Sequence, residues 1–68
     1  MFYQRGEEIE VVIDRDGLGI DQGIGHLADE TMVIIAGAGG MVGQPVRAVV
    51  MDIATTALGA SVLANAKG

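Results

Sequence analysis

A β fold is predicted by three features of the chain. Ile9, Val11 and Ile13 alternate with Glu8, Glu10, Val12 and Asp14, a period of two that puts aliphatic groups on one face of a half-buried strand and carboxylates on the other. The stretch from Asp21 to Ile35 then reads as a hairpin, with the glycine-punctuated segment Gln22-Gly23-Ile24-Gly25-His26-Leu27, the acidic turn Asp29-Glu30 and the apolar run Met32-Val33-Ile34-Ile35. That run has the length of a strand buried on both sides or lying in a barrel wall.

The connections carry their own chemistry. Arg15-Asp16-Gly17-Leu18-Gly19 supplies a turn, since Asp-Gly and a second glycine accept positive φ without steric cost. Gly23 and Gly25 flank Ile24, which predicts a strand that bends sharply or lies against another backbone, as at barrel corners. Ala36 to Gly43, with four glycines in eight residues, predicts a flexible connection. The last third supports two patterns. Val46, Val49, Val50, Ile53, Ala57 and Ala64 recur at helical spacing, with six alanines between Ala48 and Ala66, which favours a helix. Read with period two, Val46, Ala48 and Val50 form an inner face opposite Arg47, Val49 and Met51, and Gly59 marks the turn into a last strand, Ser61 to Asn65.

At 68 residues the chain has room for one domain, and so short a chain buries only about 60% of the surface exposed on unfolding. Cysteine is absent and no tetrad of metal ligands is evident, so a compact barrel or an oligomer has to supply the core. A hydrophobic fraction of 50% with 19% charged residues fits a folded domain and argues against a disordered tail. No segment approaches the roughly 18 to 20 uninterrupted apolar residues of a membrane span, and the N-terminal Met1 to Glu8 lacks a signal-peptide core, so a soluble, cytoplasmic protein is expected. Residues 1 to 30 hold eight of the nine acids and two of the four bases, about -6, and the remainder is about +1, which together give the net charge of -5. An acidic chain repels phosphate backbones at long range.

Four groups of residues invite a chemical reading. The spacing Gly37, Gly40, Gly43 after an apolar strand is that of a dinucleotide-binding turn, which offers backbone N–H groups to a pyrophosphate. An acidic residue about 20 positions further on is required, whereas Asp52 follows Gly43 by only nine, so no cofactor is expected. His26 is the single histidine, near Asp21, Asp29 and Glu30 in sequence; without a second His or Cys it predicts a surface strand residue rather than a metal ligand. Glu7, Glu8, Glu10 and Asp14 read as a solvated outer face, and Asp14-Arg15-Asp16 lacks the ligand density of an EF-hand loop. No nucleophile and base stand at a recognisable spacing, so no catalytic residue is nominated and the chain is expected not to be an enzyme.

Taken in order, Arg5-Gly6-Glu7-Glu8-Ile9, Gln22 to Leu27, Asp29, Thr31 to Ile35, Val42-Gly43, Val46 through Ile53, Thr56 and Gly59 resemble the TRAM domain, most closely the one that ends bacterial PIN-TRAM proteins. The resemblance covers nearly the whole chain. It implies a small five-stranded, OB-like antiparallel barrel, and therefore strands in the last third. It further implies a non-catalytic module that binds RNA, either tRNA or a single strand, and delivers it to a catalytic domain. Arg15, Gln22, His26, Arg47 and Lys67 are the available contacts on that reading. The chain departs from the pattern at Ala38-Gly39-Gly40-Met41, where relatives carry basic residues, at Ala60 to Ala64, where they carry an arginine and an aromatic, and at His26, which replaces an aromatic. Weak RNA binding is the expectation. The alternative is a protein-interaction or oligomerisation role for the apolar second half.

Overall fold

The computed structural model describes residues 3–56 and 59–67; Met1, Phe2 and Ala57 of the patterns above lie outside them. Five strands follow one another: β1 (Glu8–Asp16), β2 (Gln22–His26), β3 (Met32–Ala36), β4 (Pro45–Thr56) and β5 (Gly59–Ala66). They close into an OB-like barrel in the order β1-β2-β3-β5-β4. The last third is therefore strand, not helix, and both of its strands run beyond the expected Val46 to Ile53 and Ser61 to Asn65.

Four of the five pairings are antiparallel, while β3 and β5 run parallel, with Val33 opposite Val62 and Ile35 opposite Ala64. The expected all-antiparallel arrangement is thus corrected at one seam. The reason is parity: directions that alternate around a ring of five strands must agree at one junction, and here it lies where β5 inserts between β3 and β4.

The core follows the period of two. With strands in the last third, the alternation predicts that Ile9, Val11, Ile13, Ile24, Val33, Ile35, Val46, Val50 and Val62 converge on one barrel interior; all of them but Ile24 are buried, and Ala48, Ala64, Leu27 and Ala38 complete the interior. Ile24 is the exception. On β2 the inward positions belong to Gly23 and Gly25, which are buried, and Ile24 between them faces outward and is half-buried. The glycines face inward because the opposing side chains fill the space: a Cβ on Gly25 would stand 2.5 Å from the carbonyl oxygen of Val12 and collide with Val11 Cγ1.

Two bulges interrupt the alternation. On β1 the register slips between Ile13, which faces Gly25, and Arg15, which faces Ile24, so Asp14 is the extra residue. On β4 it slips between Val50 and Asp52, leaving Met51 unpaired. Bulges bend a strand and re-aim its side chains, and both lie where the barrel wall must curve.

The glycine-rich segment after β3 is pinned rather than flexible. Gly37 N donates to the carbonyl of Asp21 at 2.7 Å and Gly43 N to that of Ile13 at 2.8 Å, while Ala38 is buried completely beneath the loop. No helix among the described residues is long and apolar enough to cross a membrane.

Candidate nucleic-acid interface

Outward positions on β2 and β3 stand side by side: Ile24 opposite Ile34, and His26 opposite Met32. The bulge in β1 brings Arg15 opposite Ile24 on the same row. All of these except His26 line an open cleft of about 460 Å³, with Ile24, Met32 and Ile34 as an apolar floor and Arg15, Asp16, Leu18 and Gln22 along its walls. Leu18 comes from the β1–β2 connection and is fully exposed, as is Ile20 two residues on (106% and 99%).

Of the five residues expected to contact RNA, Arg15 and Gln22 meet in this cleft. Arg15 has no ion-pair partner among the described residues. Gln22 Oε1 accepts the N–H of Gly19 at 3.0 Å, which shapes the β1–β2 turn and leaves the amide Nε2 as a donor. His26 lies further along β2 and is held by carboxylates: Nδ1 is 2.6 Å from Asp14 Oδ2, and Nε2 is 3.8 Å from Glu30 Oε2. The hydrogen bond to Asp14, then the charges of Asp14 and Glu30, raise the imidazole pKa above its ordinary 6.5.

Arg47 and Lys67 lie on a different wall. Arg47 of β4 faces Glu10 of β1; Lys67 follows β5, its backbone N–H donating to the Arg47 carbonyl at 2.8 Å and its Nζ standing 3.0 Å from Glu8 Oε2. Lys67 holds the Glu8 carboxyl below its ordinary 4.5, with help from Arg47. Arg5 is paired with Asp52 at 3.1 Å. Arg5, His26 and Lys67 are thus each held in an ion pair, whereas Arg15 and Arg47 have none among the described residues.

The sequence offered no direct signal for the cleft's floor. Ile24 matched a core position by its hydrophobicity alone, although the glycines on either side mark the inward face. Asp14 was also missed as the partner of His26, because the two are 12 residues apart and only the bulge joins them.

The loop that resembles a dinucleotide turn presents its amides to the protein itself. Gly40 N donates to Asp16 Oδ1 at 2.9 Å and Gly39 N to Asp21 Oδ1 at 3.1 Å. The donors that a phosphate would use are occupied by carboxylates. Among the described residues no group of three or more His, Cys, Asp and Glu is placed to hold a metal ion. No protein-family model, curated protein or solved structure matches the chain.

Proposed function

We propose that this chain is a non-catalytic, TRAM-like binding module that holds a single RNA strand weakly on the outer face of β1, β2 and β3. The observation that carries the reading is the cleft, which brings Arg15 and Gln22 together above Ile24, Met32 and Ile34. OB-type barrels receive oligonucleotides on the face of strands 2 and 3 and on the loop between strands 1 and 2, which is where this cleft lies; the step from architecture to ligand is an analogy. Arg15 would neutralise a phosphate, the Gln22 amide would meet a base edge, and the aliphatic floor would take a base face in place of the usual aromatic platform.

Affinity is weak on this reading. The chain carries -5, and each phosphate neutralised on a single strand contributes a slope of about -0.7 in log K against log salt. Titration of a fluorescent single-stranded RNA at two salt concentrations tests the proposal: shallow, salt-sensitive binding that Arg15→Glu abolishes supports it.

A second reading, contact with another protein, is favoured by the full exposure of Leu18, which lines the same cleft, and of Ile20 on the same loop. Absence of RNA binding even at low salt leaves that reading in front.

A further inference from the structure

We propose that the cleft and the β1–β2 loop form a two-fold contact between copies of this chain, in which Leu18 and Ile20 of each copy lie over Ile24, Met32 and Ile34 of the other. The inference does not rest on the RNA reading. It starts from an imbalance: the barrel buries its core side chains well, yet leaves two large aliphatic residues fully in solvent on one loop, of which Leu18 lines the cleft together with its apolar floor. Single exposed aliphatics are ordinary, but a contiguous apolar patch rimmed by polar groups marks an interaction surface.

The charges on the rim identify the occupant. Arg15 and Asp16 are adjacent along the same wall of the cleft. Arg15 has no ion pair, and Asp16 uses Oδ1 for Gly40 N while its Oδ2 has no partner among the described residues. A surface carrying one unpaired cation beside one available anion is complementary to itself: a two-fold axis between them sets each Arg15 against the other copy's Asp16. An isologous contact needs that reciprocity, the same patch serving both sides. Knob and hole are likewise on the same patch, so the contact closes at two copies and does not propagate.

Its strength follows from size. The whole surface is 4432 Å², so a patch of one tenth per copy totals about 900 Å², below the roughly 1,200 Å² of stable complexes and in the transient class. The chain is therefore a monomer when dilute and a dimer when concentrated.

Sedimentation equilibrium of the RNA-free protein over a hundredfold concentration range, with methyl NMR at the same concentrations, tests this. The expected result is a mass that rises from 7.0 kDa toward twice that value, with concentration-dependent shifts at Leu18, Ile20, Ile24, Met32 and Ile34. Leu18→Asp and Ile20→Asp replace exposed side chains, so they leave the barrel folded and shift the association midpoint at least tenfold upward. Arg15→Glu weakens it as well. A mass that stays at the monomer value into the millimolar range overturns the proposal, as does undiminished association of the Leu18→Asp, Ile20→Asp double variant, or concentration-dependent shifts confined to Val12 and Val49 on the β1–β4 wall.

Discussion

His26 on β2 and Asp14 on β1 form the shortest ion pair of the described residues, Nδ1 to Oδ2 at 2.6 Å, and a backbone irregularity makes it. Asp14 is the extra residue of the β1 bulge. Without the bulge, strict alternation would carry Arg15 inward and displace the Arg15–Ile24 row. With it, Asp14 and Arg15 both reach the outer surface, one to hold the imidazole and the other to line the cleft. The same device thus locks β1 to the β2–β3 hairpin and builds the candidate interface.

This pair makes stability depend on pH in the neutral range. The folded-state pKa of His26 is raised, so its contribution is fully present below the unfolded value of about 6.5 and disappears as pH rises through the folded value. The carboxyls of Glu8, Asp29 and Asp52 are lowered, by the Lys67 hydrogen bond, by the Thr31 side chain and by the Ile53 N–H respectively. Their contributions persist above the unfolded values and vanish only as pH falls into the acid range, outside the His26 window. Urea midpoints measured from pH 6 to 9 should fall with rising pH in the parent and stay flat in Asp14→Asn. An NMR titration that puts His26 at or below the ordinary value would sink the argument.

Gly25→Ala should damage the barrel more than its size suggests. The added methyl meets the Val12 carbonyl oxygen at 2.5 Å as well as Val11 Cγ1, and β2 has no room to retreat, because Gly25 is paired with Ile13 on one side and Val33 on the other. Overpacking of this kind costs about 1–3 kcal/mol, a large part of the total for a domain whose stability belongs near the low end of about 5–15 kcal/mol. Chemical denaturation reads it directly; an unchanged midpoint would show that the two strands separate more easily than their pairing indicates.

Much of this fold was legible because period-two alternation survives wherever one face is buried. Ile9, Val11 and Ile13 on β1, and Val33 and Ile35 on β3, are core residues in both sequence and structure. Legibility failed where the period breaks. On β4 the helical spacing mixes the two faces: Val46 and Val50 are buried, whereas Val49 is half-buried on the outer face and Ile53 is exposed, and the alanines add to the imitation of a helix. On β2 hydrophobicity pointed the wrong way: the inward positions are glycines because Val11 and Ile13 occupy the volume, and the isoleucine between them became floor of the cleft. The candidate site was legible at Gln22, which falls outward by alternation with Gly23 and Gly25, and at Arg15 by its charge, although only the bulge turns Arg15 outward. Its Leu18, Met32 and Ile34 were not, since an aliphatic residue carries no mark of the face it will take.

The glycine loop should loosen when its carboxylate anchors are removed. Gly40 has φ +74 with nothing within 4 Å of a would-be Cβ, and its N–H is bonded to Asp16 Oδ1 at 2.9 Å. In Asp16→Ala and Asp21→Ala the amides of Gly40 and Gly39 should exchange with solvent at least tenfold faster, while those of β3 and β5 keep their protection. Equal protection in parent and variants would mean that the backbone bonds of Gly37 and Gly43, with buried Ala38, anchor the segment without the carboxylates.

RNA binding, if the cleft carries it, should respond to charge by position and not only by sum. Arg15→Glu and Arg47→Glu change the net charge equally, yet Arg15 lines the cleft, whereas Arg47, opposite Glu10, lies on another wall. Long-range attraction depends on total charge and weakens with salt, while a direct phosphate contact is local. Arg15→Glu should therefore abolish binding, and Arg47→Glu should weaken it only by the amount that any surface charge of that sign would. Glu10→Lys should strengthen it modestly through the reduced net charge. A fluorescent single-stranded RNA titrated against the three variants at two salt concentrations distinguishes the cases. Equal losses from both arginine substitutions would reduce the interaction to charge alone and remove the cleft from it.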